Sequence, residues 1–159
     1  MLQSPCNQHV EGGMRIVRLL VILVVGYVAL GLIADAAIGY FQPRSEGTAV
    51  LRTFDAAGGG AQDTVLSLLD DEGQLWVESG HWFRGWYNRV LANRDVELVR
   101  DGEAKPYRAV PVNTDEAVDT VLRLMGKGEH AGYWVGRALL LWAPIKPVRL
   151  DPRPGRPGV

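Results

Sequence analysis

The chain has 159 residues, of which 47% are hydrophobic and 22% are charged, and its formal net charge is −1. This composition is typical of one globular domain, and the lack of a basic excess argues against nucleic acid as a partner. The single cysteine, Cys6, excludes an intrachain disulfide and a thiolate metal cluster, and the three histidines share no ligand spacing, so no metal site is expected.

The amino-terminal part of the chain contains a long apolar run. No charged residue occurs from Leu19 to Ala34, and the run resumes after Asp35 as far as Phe41. Because about 20 apolar residues cross a bilayer as a helix, residues 16–41 are predicted to form one transmembrane anchor. Residues 1–15 are then a polar tail that precedes it.

A cleaved signal peptide is the alternative interpretation of this run. Arg15 and Arg18 precede the apolar residues, and Ala34-Asp35-Ala36 resembles a cleavage site. The same two arginines, under the positive-inside rule, predict a single-pass protein with a cytoplasmic N-terminus and an extracytoplasmic domain. Met14 is a second candidate start beside Met1.

The remainder of the chain divides into a linker, a domain and a tail. Residues 42–47 contain Pro43 and Gly47 and are predicted to be a linker, and residues 48–150 form the domain. Residues 151–159 are rich in proline and glycine and are predicted to be disordered.

Six runs in the domain have the composition and alternation of strands, which predicts an α+β barrel. They are Thr48–Phe54, Asp63–Leu69, Gln74–Ser79, Val96–Arg100, Ala104–Pro111 and Pro144–Leu150. The second and third runs are predicted to form a hairpin, and Asp101-Gly102 is a strong turn signal between the fourth and fifth. The prolines of the last run predict an edge strand.

Three helices are predicted between the strands. The first carries an apolar stripe that includes Trp82, Trp86 and Val90, and Asn93 is expected to close it in a left-handed conformation. It either plugs the barrel and only buries area, or it borders a binding site. Thr114 is expected to cap the second helix, which Gly126 ends.

The third helix covers Tyr133–Trp142. Val135, Leu139 and Trp142 are expected to pack inward, and Arg137 either stays out or pairs with a ligand.

The segment from Ser79 to Leu98 carries a distinctive order of residues. Ser79-Gly80 is followed by Trp86-Tyr87-Asn88, Leu91-Ala92-Asn93 and Asp95-Val96-Glu97-Leu98. This order resembles the deazaflavin-dependent nitroreductases and quinone reductases, relatives of the flavin-binding split barrels, and the resemblance covers about Ala49–Leu150. It implies an α+β fold, a six-stranded antiparallel split β-barrel with inserted helices, preceded here by one N-terminal transmembrane helix.

The resemblance implies an oxidoreductase that uses a deazaflavin coenzyme or FMN to reduce a quinone-like or nitroaromatic molecule, and the predicted anchor places it at the lipid bilayer. Such a cofactor carries the hydride itself, so no acid–base pair is required of the protein. A homodimer is left open. The candidate contacts to cofactor are Ser79, Gly80, His81, Trp86, Asn88 and Arg89.

The residue types at these positions support binding of an anionic or carbonyl-bearing group. Gly80 allows close approach of the backbone, and His81, Arg84 and Arg89 supply hydrogen-bond donors. His81 is the candidate proton donor, because imidazole titrates near neutrality. An exposed loop histidine is the alternative interpretation.

A glycine-rich segment supports a second hypothesis. In the resembled family, a loop of the kind Thr-x-Gly-Arg-Lys-Ser-Gly follows the first strand and helps to hold the phosphate-bearing tail of the coenzyme. The corresponding segment here, Thr53–Asp63, keeps glycines but lacks both basic residues. A phosphate requires backbone N–H groups and preferably positive charge. The alternative is therefore a non-catalytic, membrane-tethered split-barrel module for binding or scaffolding that has lost the cofactor.

Overall fold

The computed structural model describes residues 5–40, 47–80, 84–126 and 131–154. Four helices and seven strands lie in these ranges. In chain order they are α1 Pro5–Tyr40, β1 Thr48–Thr53, β2 Gln62–Ser67, β3 Leu69–Asp71, β4 Gln74–Ser79, α2 Gly85–Ala92, β5 Asp95–Arg100, β6 Glu103–Pro111, α3 Asp115–Leu124, α4 Ala131–Leu139 and β7 Lys146–Pro152.

The strands form one antiparallel sheet in the order β2-β1-β5-β6-β7-β4-β3. β2 and β3 are at opposite edges, yet only Leu68 separates them in sequence. The two edges must therefore approach each other, and the sheet curls into a half-barrel. The α+β class and the antiparallel sheet are confirmed.

The predicted number of six strands is wrong, and the predicted hairpin between residues 63–69 and 74–79 is confirmed only next to its turn, where Leu69–Asp71 pairs with Gln74–Trp76. The first run divides at Leu68: its first part pairs with β1, and its last part joins a short strand that pairs with β4. The N–H of Leu68 donates to the carbonyl of Gly47 at 2.8 Å. An alternating pattern fixes which side chains face inward but does not specify the partner strand, which a long-range contact decides.

The core has two clusters on either side of the sheet's wall. The larger one packs α2 against inward-facing residues of the strands, and its fully buried members include Leu51, Trp86, Val90, Val148 and Leu150. The smaller one joins Trp76 of β4 to Ala117 and Val121 of α3. Burial of each large apolar side chain contributes about 1.5–3 kcal/mol, so α2 is fixed to the sheet chiefly by its apolar face.

β7 is an inner strand between β6 and β4, so the predicted edge position is wrong. Pro147 is buried one residue after the start of β7, where a missing ladder N–H disrupts the sheet least. Its carbonyl accepts a hydrogen bond from Val112 N–H at 3.1 Å. β7 also continues through Pro152, two residues beyond the predicted end of the domain.

The C-cap residue of α2, Asn93, is not in a left-handed conformation. Asn93 has an extended backbone, with φ −142°, so that prediction is wrong. Its side chain instead forms hydrogen bonds with the backbone: Nδ2 donates to the carbonyl of Asp55 at 2.9 Å, and Oδ1 accepts from Asp95 N–H at 3.1 Å. Trp82 lies outside the described residues.

α1 is one helix that is long and apolar enough to cross a membrane over Gly13–Ala37, by length and composition. It begins at Pro5 and so includes much of the predicted polar tail. Its apolar side chains are exposed around the helix, for example Leu23 and Ile33. Apart from Gly47, the predicted linker lies outside the described residues.

α4 packs against α1. The hydroxyl of Tyr27 donates to the carbonyl of Ala138. Val135, Leu139 and Trp142, predicted to face inward, are exposed, so that prediction is wrong. The spacing correctly predicted an amphipathic helix, but the apolar face of α4 is turned away from the barrel.

Candidate functional site

The site region begins at the end of β4. Ser79 is the last residue of this strand, is 1% exposed, and lies opposite Lys146 of β7. Gly80 follows, and a Cβ atom at this position would be 3.0 Å from Oε2 of Glu78. The glycine therefore leaves room for the Glu78 carboxylate. His81 lies outside the described residues.

α2 presents two aromatic rings to the core. Trp86 is 2% exposed, and its ring meets that of Tyr87 edge to face, with centroids 5.9 Å apart. The Nε1–H of Trp86 is buried and has no acceptor in the part of the chain that the structure describes. Leaving such a donor without a partner costs about 1–3 kcal/mol, so an additional acceptor beside α2 would stabilise this arrangement.

Arg89 joins α2 to the end of β1. Its Nε donates to Oγ1 of Thr53 at 2.8 Å, and the Thr53 hydroxyl donates to the carbonyl of Gln62 at 3.2 Å. Burial lowers the pKa of Arg89 from its ordinary value, but a guanidinium stays charged in proteins. A partly desolvated cation therefore lies next to the sheet. Asn88 is exposed on the other face of α2.

Two further cations flank α2. Arg84 is its N-cap residue, and burial lowers the pKa of this guanidinium, while the carboxylates of Asp35 and Glu78 raise it. Nζ of Lys146 lies 4.9 Å from the centroid of the Tyr87 ring. Burial in turn raises the pKa of Tyr87. Arg84 is thus within the electrostatic influence of carboxylates on α1 and β4.

The structure therefore groups only part of the predicted set. Ser79, Gly80 and Arg84 lie where β4 passes into α2, and Trp86 packs below them in the core, whereas Asn88 points away. Sequence reasoning missed Lys146. Its position opposite Ser79 depends on the pairing of β7 with β4, which no local pattern indicates.

The glycine-rich loop is closed by its own carboxylate. Oδ1 of Asp55 accepts the N–H groups of Ala57 and Gly59 at 3.1 and 2.8 Å. A Cβ atom at Gly60, where φ is +39°, would be 2.8 Å from Oδ2 of Asp55. The carboxylate thus occupies the position at which this loop would hold an anion. As it stands, the loop does not fit a phosphate.

A half-open cleft with a volume of about 590 Å³ lies beside this loop, between Phe54 and Tyr107. At its rim, Arg153 forms an ion pair with Asp95. None of the five described candidate contacts lines this cleft. Within the described ranges, no group of His, Cys, Asp and Glu is arranged to hold a metal ion.

Solved structures resemble this fold. No family model and no curated protein matches the chain. An F420-H2 dependent reductase, FDR-A, has a TM-score of 0.51 and 15% identity, covering 67% of this chain and 95% of that one. HutZ, the heme storage protein from Vibrio cholerae, has a TM-score of 0.52 and 19% identity, covering 70% and 84% of the two chains. A third structure, described as a domain-swapped dimer, has a TM-score of 0.52 and 14% identity, covering 93% and 100%.

The chain has a split-barrel fold. At these identities the likeness establishes the fold alone. The fold that was inferred from the resemblance of residues 79–98 is confirmed.

Proposed function

We propose that this chain is a membrane-anchored oxidoreductase that holds a flavin-type ring, either a deazaflavin coenzyme or FMN. Its substrate would be a quinone-like or nitroaromatic molecule. The fold supports this proposal, because a solved structure of similar fold is an F420-H2 dependent reductase. The observation that carries it is the buried Nε1–H of Trp86, a donor without an acceptor among the described residues, on the helix that Arg84 caps and that also carries Arg89.

The residues on and beside α2 offer donors and positive charge to a ring that bears carbonyl groups. The buried Nε1–H of Trp86 is a donor without an acceptor among the described residues, and Arg89 and Lys146 provide positive charge. Positive charge near a flavin-type ring favours its reduced form, and the bound ring would supply the hydride chemistry. The chain's own residues would bind the ring, orient it and exclude water.

The phosphate of such a cofactor is not provided for by the glycine-rich loop, because Asp55 already accepts from its N–H groups. The proposal therefore concerns the ring and not the phosphate-bearing tail. Riboflavin, which has the ring of FMN without the phosphate, should bind about as tightly as FMN.

The substrate class follows from the position of the site relative to the anchor. Quinones with apolar tails partition into the bilayer, and Asp35 is near the end of the span Gly13–Ala37. A ring held next to Arg84 would meet such a molecule at the membrane surface. This placement favours a quinone-like substrate over a water-soluble nitroaromatic one.

A second candidate function is a non-catalytic, membrane-tethered binding module, and the loop at Asp55 is the observation that favours it. A carboxylate that accepts the N–H groups with which the loop would bind an anion is expected in a barrel that has lost its cofactor. A homodimer also remains a prediction, supported by the fold likeness to a protein described as a domain-swapped dimer.

Ligand titration separates the two functions. The full-length chain in lipid nanodiscs is titrated with riboflavin, FMN and F420 while ring fluorescence is recorded, and reduction of menadione is then followed with the ligand that binds. Micromolar binding of a ring, and menadione reduction once that ring is reduced, support the oxidoreductase. No binding of any of the three would leave the non-catalytic module.

Matched variants test whether α2 is the site. Arg84→Gln and Arg89→Gln should each weaken ring binding by about tenfold, equivalent to about 1.4 kcal/mol. Arg123→Gln is the control, because Arg123 of α3 pairs with Asp71 of β3, away from α2. Equal affinity in all three variants would place the ring elsewhere in the barrel.

A further inference from the structure

We infer that α4 is a second membrane contact and lies in the interface of the bilayer that α1 enters. The lipid-facing side consists of Trp134, Val135 and Leu139 of α4 and Trp142 of the turn that follows it, called here the α4 face. This inference rests on the anchoring part of the proposed function and adds to it a surface of the domain that touches lipid.

The α4 face is an exposed apolar surface. Trp134, Val135, Leu139 and Trp142 are 51%, 59%, 39% and 52% exposed. The rings of Trp134 and Trp142 lie side by side, with centroids 6.1 Å apart. Soluble proteins rarely expose contiguous apolar patches unless these bind something, and tryptophan is enriched at membrane interfaces.

The contact of α4 with α1 indicates that the bilayer covers the α4 face. Tyr27 and Gly31 of the candidate span contact α4 and its following turn, through the carbonyl of Ala138 and the side chain of Leu141. The α4 face is therefore continuous with the apolar side chains of α1. A bilayer that surrounds α1 meets α4 as well.

The depth of this contact matches that of an interfacial helix. At a rise of 1.5 Å per residue, Gly31 and Tyr27 lie about 6 and about 12 Å along the axis from Asp35. With Asp35 at the headgroup level, the docking of α4 falls about 6–12 Å below that level. Amphipathic helices in an interface typically bury their apolar face about 5–10 Å deep.

The charge near α4 is suited to a membrane surface. α4 carries no acidic residue, and its basic residue is Arg137. The guanidinium of Arg137 donates to the carbonyl of Ala143 and lies 5.8 Å from the centroid of the Trp142 ring. Basic residues beside an apolar face add attraction for anionic lipids.

Tryptophan quenching tests the inference on the full-length chain. The chain is reconstituted in phosphatidylcholine–phosphatidylglycerol vesicles that contain lipids brominated near the top of the acyl chains. Wild type is compared with the Trp134→Phe/Trp142→Phe double variant, and the difference spectrum reports the two rings. Bromolipid should quench this component at least twofold, and aqueous iodide should leave it nearly unchanged.

Two glycines of α1 give a matched pair of variants. A Cβ atom at Gly31 would be 2.7 Å from Cγ of Leu141 and 2.8 Å from the carbonyl oxygen of Leu139, whereas Gly26 has nothing within 4 Å. Gly31→Val should therefore displace α4 and change the bromolipid quenching at least twofold. Gly26→Val should leave it at the wild-type level.

The outcomes separate this inference from the function on which it rests. Quenching by iodide and not by bromolipid, in a chain that stays in the membrane, would overturn the lipid contact and leave the anchor. Shielding from both quenchers would show that protein, such as a second copy of the chain, covers the face, and would also overturn it. Release of the chain from the vesicles would overturn the anchor as well. Ring binding is a separate readout, which the double variant should not change.

Discussion

Asp55 illustrates how one side chain can alter the ligand preference of a loop. The glycines that follow it leave backbone N–H groups free to point inward, which is the arrangement that binds phosphate in other proteins. Here the Asp55 carboxylate accepts two of these groups. The loop therefore has the backbone for an anion but already contains one.

Replacement of Asp55 should restore a preference for phosphate. Asp55→Ala removes the carboxylate and frees the N–H groups of Ala57 and Gly59, so the affinity ratio of FMN to riboflavin should rise about tenfold, or about 1.4 kcal/mol. Asp55→Asn is the matched control, because its amide oxygen can still accept from both groups. Titration of the two variants in nanodiscs measures the ratio. An unchanged ratio in Asp55→Ala would mean that the phosphate lies away from this loop.

Thr53 makes the second prediction at the residue scale. Its hydroxyl connects Arg89 of α2 to the carbonyl of Gln62. Thr53→Val keeps the volume but leaves the partly buried guanidinium without this acceptor, which should cost about 1.5–3 kcal/mol. Thr53→Ser keeps the hydroxyl and should cost only about 0.8 kcal/mol for the lost methyl group. Urea unfolding in detergent measures both, and equal losses would show that packing alone matters here.

At the scale of elements, the sequence was sufficient where structure is local. The cap at Thr114 and the turn at Asp101-Gly102 follow from the chemistry of a few neighbouring residues, and both are present. The predicted hairpin failed for residues 63–67, because they alternate equally well for either partner strand. The predicted edge at β7 failed because the sheet tolerates Pro147 near a strand end.

The candidate site was predictable only in part, for the same reason. The spacing on α2 correctly indicated that Trp86 is buried and Asn88 is on another face. Lys146 was missed because it reaches α2 through strand pairing. The inward face predicted for α4 failed because an apolar stripe requires a nonpolar neighbour but does not say whether that neighbour is protein or lipid.

α3 offers a pH-dependent prediction at this scale. Its cap, Thr114, accepts from Ala117 N–H at 3.3 Å. Hydrogen bonds from the Glu116 backbone and from the Thr114 side chain lower the pKa of Glu116 below its ordinary 4.5. A lowered pKa in the folded state stabilises the fold above that ordinary value. This contribution is lost as the pH falls through the lowered pKa.

Thr114→Ala should therefore have two effects. Loss of the cap should destabilise the chain by about 1 kcal/mol at neutral pH. Loss of the hydrogen bond to Glu116 should also make the fall in stability below pH 4.5 shallower than in wild type. Thr114→Ser should behave as wild type in both respects. Parallel pH curves for wild type and Thr114→Ala in urea unfolding would contradict the role of this side chain in holding Glu116 ionised.

At the scale of the whole molecule, α1 and the barrel form one unit. α4 docks on α1 at Tyr27 and Gly31, and Arg84 of the candidate site is close enough to Asp35 for the carboxylate to raise its pKa. The barrel is therefore held against the end of the span and not suspended on a tether. Such a fixed position would keep the basic end of α2 at the membrane surface, where a quinone-like substrate could reach it.

The orientation of this unit can be tested with the native cysteine. Cys6 lies on the N-terminal side of the span Gly13–Ala37, and Arg15 and Arg18 beside it predict a cytoplasmic N-terminus. A membrane-impermeant maleimide should therefore label Cys6 only after cells are permeabilised. Ala57→Cys in a Cys6→Ser background, on the exposed glycine-rich loop, should be labelled in intact cells. The reverse pattern would place the barrel in the cytoplasm, and a mature chain that starts near Ala37 would show that α1 is a cleaved signal.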